Sequence, residues 1–166
     1  MKRILLTLLV GISFVYSSAQ DQLGKFSMAA NLNYGTEIES LGVGLRAQYG
    51  FAERMRGVAE YKYYIDRHNL SEWEINLDGH YIIGSSDELL FYPIVGLKFS
   101  RWTYDPSRSD KSSSNNKYSN NRLGLNLGFG SQIALSDNTF IQPEIKYELI
   151  KDYSQFVFGV GFVYQF

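Results

Sequence analysis

The sequence predicts an all-β fold: an eight-stranded antiparallel up-and-down transmembrane β-barrel, preceded by a cleavable signal peptide. Three observations predict it. Eight segments alternate large apolar residues with small or polar ones, so each strand has one greasy and one polar face. The connections alternate between short polar turns and longer polar loops. The last segment, Gln155 to Phe166, sets Phe156, Phe158, Phe162, Tyr164 and Phe166 on one face, with Gly, Val and Gln on the other. A soluble protein gains little from an exposed final phenylalanine, whereas a barrel closed by its last strand leaves that ring at a membrane rim.

The chain opens with an export signal. Met1-Lys2-Arg3 is basic, Ile4 to Tyr16 is an almost unbroken apolar run, and Ser17-Ser18-Ala19 supplies the small residues a signal peptidase reads. Residues 1–19 are expected to be removed and residues 20–166 to form the barrel. The apolar run falls short of the roughly 20 residues a spanning helix needs, and no other stretch is long and apolar enough. A membrane-embedded chain must then close its sheet, because lipid cannot satisfy an open edge.

Composition agrees with one sheet-rich domain: 13 Tyr, 11 Phe and 15 Gly against three Met. The absence of cysteine excludes a lipid-modified N-terminal Cys, disulfides and thiolate metal sites. No cofactor and no metal are expected. Losing Lys2 and Arg3 with the signal takes the formal charge from −1 to −3, which is not a nucleic-acid footprint.

The strands follow in order. Phe26, Met28, Ala30, Leu32 and Tyr34 alternate with Lys25, Ser27, Asn31 and Asn33; Leu41 to Phe51 alternate with Gly42, Gly44, Arg46, Gln48 and Gly50. Ala59, Tyr61, Tyr63 and Ile65 alternate with Val58, Glu60, Lys62 and Asp66; Trp73, Ile75, Leu77, Tyr81 and Ile83 alternate with Glu74, Asn76, Asp78 and His80. Leu89, Phe91, Val95, Leu97 and Phe99 alternate with Tyr92, Gly96, Lys98 and Ser100. Leu123, Leu125, Leu127, Phe129 and Ile133 alternate with Arg122, Gly124, Asn126, Gly128, Gly130 and Gln132. Ile141, Ile145, Tyr147 and Leu149 alternate with Gln142, Glu144, Lys146 and Glu148, and the aromatic strand is the eighth. Each segment is near the 9–11 residues of a tilted membrane strand, and residues at i and i+2 cannot share a helical face.

Ala52–Arg56, Ser85–Glu88 and Ser136–Asn138 read as short turns. Thr36–Ser40, Arg67–Ser71 and Ile150–Ser154 read as intermediate loops and Tyr104–Asn120 as a long one. Counted from a periplasmic N-terminus, all short turns fall on one side, as membrane barrels show, and both termini are periplasmic. Pro93 and Pro143 cannot donate to a ladder, so a bulge is expected near each.

With this pattern and the closing Phe162-Val163-Tyr164-Gln165-Phe166, the chain resembles the small outer-membrane β-barrels of Gram-negative bacteria, the porin-like family of the OmpA transmembrane domain and OmpX. The resemblance covers the whole mature chain. It implies an integral outer-membrane location, outer-membrane lipid as surroundings, and Phe162, Tyr164 and Phe166 as the signal read by the outer-membrane assembly machinery. No peptidoglycan-binding domain follows Phe166, so no tether to the cell wall is expected.

An eight-stranded barrel is just wide enough for side chains to fill. The inward positions include Arg46, Glu60, Lys62, Glu74, Asp78, His80, Lys98, Glu144, Lys146 and Glu148. Counting from the inner rim places Arg46, Glu60, Lys62, Asp78 and Glu144 at similar heights, as a lumen ionic core, because charges removed from water need partners. The alternative is an ion path gated by rearranged pairs, and inward glycines (Gly42, Gly44, Gly124, Gly128, Gly130, Gly159, Gly161) leave room for it. Lipid A modification would need a histidine near a serine at the lipid-facing outer rim. His80 alternates inward toward the periplasmic half and His68 sits in an outer loop, so no catalytic residue and no enzymatic activity are expected.

The polar stretch Asp105 to Asn116 suits a surface loop, and the flanking Trp102, Tyr104 and Tyr118 suit membrane-interface anchors or an adhesive face. The expected role is therefore non-enzymatic: a monomeric barrel contributing to envelope integrity or surface interaction through its outer loops. A narrow pore is the alternative. A secreted barrel with the apolar face turned inward around a hydrophobic ligand also fits alternation alone, though it would expose Lys25, Arg46, Glu60 and Glu144 to solvent.

Overall fold

The computed structural model describes residues 22–67, 70–85, 89–104, 118–151 and 153–166. Eight long strands carry the architecture among them: β1 (Phe26–Gly35), β2 (Ser40–Ala52), β3 (Met55–Arg67), β4 (Leu70–Tyr81), β5 (Leu89–Tyr104), β6 (Tyr118–Ser136), β7 (Thr139–Ile150) and β8 (Tyr153–Gln165). A two-residue ladder, Gly84–Ser85, rests on the start of β5. Each strand pairs antiparallel with the next, and β8 pairs with β1 from Ser27–Gln165 to Gly35–Val157, so the sheet has no edge. Closure reaches the last residue: the Phe166 N–H donates to the Phe26 carbonyl at 3.0 Å, and their rings lie 5.8 Å apart.

The period-two pattern has one sense throughout. Apolar residues face outward, with Leu32 at 65%, Leu45 at 66% and Leu123 at 76% exposure, while Arg46, Glu60, Lys62, Glu74, Lys98 and Glu148 are buried inside. That sense overturns the inverted, ligand-enclosing alternative. An apolar face continuous around the whole barrel is stable against lipid and not against water.

The strands run 10–19 residues, longer than the apolar alternation suggests. The β3–β4 ladder continues to Arg67–Leu70 and the β7–β8 ladder to Ile150–Tyr153. Strand pairing thus reaches into two of the expected intermediate loops. Beyond the hydrocarbon layer a strand no longer needs an apolar face, so the pattern fades before the hydrogen bonds do. The expected signal peptide, His68 and residues 105–117 of the long loop lie outside the described residues.

The prolines do not produce the expected bulges. The β4–β5 ladder ends at His80–Ile94, one residue before Pro93, while Pro93 still pairs with Phe129 on β6. Pro143 pairs with Val160 on β8 and has no ladder partner on β6. Having no N–H, proline interrupts one ladder and leaves the other intact. The register shifts fall instead at Gly50/Ala52, Tyr64/Arg67 and Ala134/Ser136, toward the strand ends.

Two lumen glycines are steric requirements. A Cβ on Gly96 would sit 2.0 Å from Asp78 Oδ1, and one on Gly130 would meet the Tyr92 ring at 2.6 Å.

Leu125 lies mid-wall between Leu97 and Leu149. Leu125→Arg should cost about 2–4 kcal/mol of folding free energy in vesicles, and Leu135→Arg near the strand end about 0–1 kcal/mol. Denaturant unfolding of the two variants in the same lipid checks this, and equal costs would contradict the assigned membrane-facing wall.

Candidate functional site

Alternation delivers polar side chains from opposite walls to the barrel axis, where they bridge the lumen. Arg46 on β2 meets Glu144 on β7 in a two-pronged pair, Nη1 to Oε1 and Nη2 to Oε2, both 2.7 Å. Arg46 Nη2 also donates to Glu60 Oε1 at 2.9 Å. The other Glu60 oxygen accepts from Lys146 Nζ at 2.9 Å, and the same ammonium reaches Asp78 Oδ2 at 3.0 Å. Asn126 Nδ2 donates to Asp78 Oδ1 at 2.9 Å, tying β6 to β4.

A second layer sits toward the loop end, away from Gln22 and Phe166. Lys62 Nζ lies 2.7 Å from Glu74 Oε1 and 3.5 Å from Glu60 Oε2, joining the two layers. Lys98 contacts Glu74, lies 2.5 Å from Glu148 Oε2 and is 3.3 Å from Glu72 Oε1. Gln155 Nε2 donates to Glu148 Oε2 at 2.9 Å. Toward the turn end, where Gln22 and Phe166 lie, the Tyr92 hydroxyl donates to Glu144 Oε1 at 2.9 Å. Gln142 Nε2 donates to Gln132 Oε1 at 2.7 Å, and Gln48 Nε2 donates to Gln142 Oε1 at 2.8 Å.

The structure joins Arg46, Glu60, Lys62, Asp78 and Glu144 in one network, with Asp78 attached through Lys146. Glu74, Lys98, Lys146 and Glu148 belong to it as fully as those five. Counting residues from the rim misses them because barrel strands tilt by roughly 35–45°, so equal counts on different strands are not equal heights. Glu72 escapes notice because it neighbours the loop, although its parity with Glu74 marks it as inward.

The other sequence-selected residues lie apart from this network. Phe162, Tyr164 and Phe166 face outward at the turn end of β8, with the Tyr164 and Phe166 rings edge to face at 5.1 Å. Trp102 is not placed as a lipid-facing anchor: its ladder partners Glu72 and Asn120 set it on lumen parity at the loop end. Its indole N–H donates to Ser100 Oγ at 3.3 Å, and the Arg122 guanidinium lies 5.6 Å from its ring centre. The interface preference of tryptophan does not state which wall the ring hangs from, and here parity decides. Tyr104 and Tyr118 pair as the last rung between β5 and β6, and their side chains lie outside those described. His80 faces the lumen near the turn end and accepts from Arg56 Nε through Nδ1 at 3.1 Å.

The β5–β6 hairpin overhangs one neighbour, β7, while β4 accompanies it to Leu70–Tyr104 on the other side. The β5–β6 ladder extends to Tyr104–Tyr118, whereas the β6–β7 ladder begins only at Gly124–Ile150. Tyr118 to Leu123 therefore extend past the last rung of β7.

Arg46→Ala leaves Glu144 and Glu60 buried without their guanidinium, and removing one partner of a buried pair costs about 3–5 kcal/mol. Adding Glu144→Gln should restore part of that loss, so the double variant should unfold at a higher denaturant concentration than Arg46→Ala alone.

The chain matches the family model described as outer membrane protein beta-barrel domain over residues 4–166. Among curated proteins none matches the sequence. Its fold is similar to the N-terminal β-barrel domain of Pseudomonas aeruginosa OprF, at 16% identity and TM-score 0.72, covering 87% of this chain and 98% of that one. It is similar to Ail, the attachment invasion locus protein of Yersinia pestis, at 14% identity and TM-score 0.60, covering 87% and 99%. The Pseudomonas aeruginosa outer membrane protein OprG aligns at 14% identity and TM-score 0.61, covering 90% and 99%. At these identities the solved structures show a shared fold. With the family match, the closed sheet and the apolar outer wall, the chain belongs to the outer membrane protein β-barrel family and is an integral protein of the Gram-negative outer membrane.

Proposed function

We propose that this protein works at the cell surface through its projecting β5–β6 hairpin, with the barrel as a rigid monomeric anchor that also contributes to envelope integrity. The observation that carries the reading is the contrast between the two ends of the molecule. The lumen is bridged wall to wall by buried ion pairs, while the β5–β6 ladder rises past β7, and the sequence joining its two strands is polar. In this reading both termini are periplasmic, so the hairpin points outward. Phe162, Tyr164 and Phe166 then serve as the assembly signal at the periplasmic rim. Attachment is the role named for Ail, and the reading extends that kind of role here. The barrel acts without catalysis: His80 is buried in the lumen beside Arg56, away from the lipid-facing wall where an acyl chain would lie.

A narrow pore is the second reading, favoured by a lumen lined mostly with polar groups. Against it, the space above inward glycines is already taken. A Cβ on Gly159 or Gly161 would stand 2.6 Å from the side-chain oxygen of Asn33 or Asn31.

Replacing residues 101–121 with a short turn tests the surface reading. Cells carrying the trimmed barrel should adhere less to a surface or to one another than cells carrying the full barrel, at equal heat-modifiable folded protein. Undiminished adherence would remove the hairpin from the function.

A further inference from the structure

One charge stands on the wall that faces lipid. Among the described side chains, every outward-facing ladder position of the eight strands is apolar or neutral except Arg101 on β5. Arg101 is exposed and pairs with no carboxylate among the described residues. Its rung joins it to Trp73 on β4 and to Asn121 on β6. The next outward-facing rung toward the membrane centre holds Ile75, Phe99 and Leu123, all apolar. The next one toward the loops holds Ser71, Thr103 and Ser119, all hydroxyl residues, with Thr103 Oγ1 3.3 Å from Ser119 Oγ.

Three rungs thus carry the outer wall from hydrocarbon to water. A lone charge is costly against the hydrocarbon and nearly free at the interface. The long arginine stem keeps its methylenes on the apolar wall while the guanidinium reaches the headgroups. Trp73 marks the same level: its ring lies 5.8 Å from that of Phe99 and 6.3 Å from that of Tyr61, an aromatic band suited to a membrane boundary. Arg101 therefore sits at headgroup height with its donors unmatched by any described protein acceptor. A guanidinium matches a phosphate with two parallel N–H groups. The Asn121 amide and the hydroxyls of Thr103 and Ser119 add neutral donors on either side of it, and none of the three rungs holds a carboxylate to repel an anion.

We propose that Arg101, with Asn121, Thr103 and Ser119, binds a phosphate of lipid A on the outer wall at the loop end of the barrel. The guanidinium takes the phosphate oxygens, the amide and hydroxyls complete the contact, and the acyl chains descend over Phe99, Ile75 and Leu123. The site rests on the outward placing of the loop end in the proposed function. Binding to purified lipid A reads it with no surface partner present, so either reading can fail alone.

The test is native mass spectrometry of the refolded barrel in detergent micelles, titrated with lipid A and with the same glycolipid stripped of its phosphates. The unaltered barrel should bind lipid A about tenfold more tightly than the stripped lipid, and Arg101→Gln should remove that preference. Because Arg101 has no carboxylate to strand, Arg101→Gln should still fold. Should it fail to fold, a nitroxide on Asn121→Cys, unique in a chain without cysteine, decides the matter. It should broaden the phosphorus resonances of lipid A more than a nitroxide on Tyr34→Cys, at the same end of the opposite wall. Equal binding of the two lipids, an unchanged preference in Arg101→Gln, or equal broadening by the two labels would each overturn the site.

Discussion

The pairing of charges across the barrel axis is the constraint on which the rest of the structure depends. A wall that faces lipid must turn its polar side chains inward, and eight strands leave no room for those side chains to keep a shell of water. They must therefore satisfy one another. The Arg46–Glu144 pair does this most completely, because a planar guanidinium matches both carboxylate oxygens at once. Glu60, Lys146, Asp78, Lys62, Glu74, Lys98 and Glu148 extend the same solution along the axis. The glycines at 96 and 130 are consequences of it, since a β-carbon there would displace Asp78 or Tyr92.

The same constraint separates anchor from function. A lumen network of this density resists rearrangement, because moving one charge strands another. Strand length is free to vary only outside the membrane, and there the strands differ most: β6 is 19 residues long and β1 is 10. Tyr118 to Leu123 of β6 extend beyond the last rung of β7, free of pairing on that side, which is why surface interaction is proposed for the β5–β6 hairpin.

Much of this was legible in the sequence because period two maps directly onto inside and outside. The strand order, the closure of β8 on β1 and the inward placement of Arg46, Glu60, Lys62, Asp78 and Glu144 all follow from parity and turn spacing. The partners of those residues did not follow. Lys146 bridges Glu60 and Asp78, and Lys98 bridges Glu74 and Glu148, across distances that depend on strand tilt and stagger, which a residue count does not contain. Trp102 shows the opposite limit. Its residue type suggested a membrane anchor, but its parity with Lys98 and Ser100 already set it on the lumen side, and parity was the better guide.

Single-channel recording of the mature barrel, refolded into a planar bilayer and verified by its heat-sensitive gel shift, tests the central claim most directly. A lumen closed by paired charges predicts a silent membrane under physiological salt for the unaltered protein. Reproducible conductance steps that change on substitution of Arg46 or Glu144 would contradict it, and would make the network a gate instead of a core.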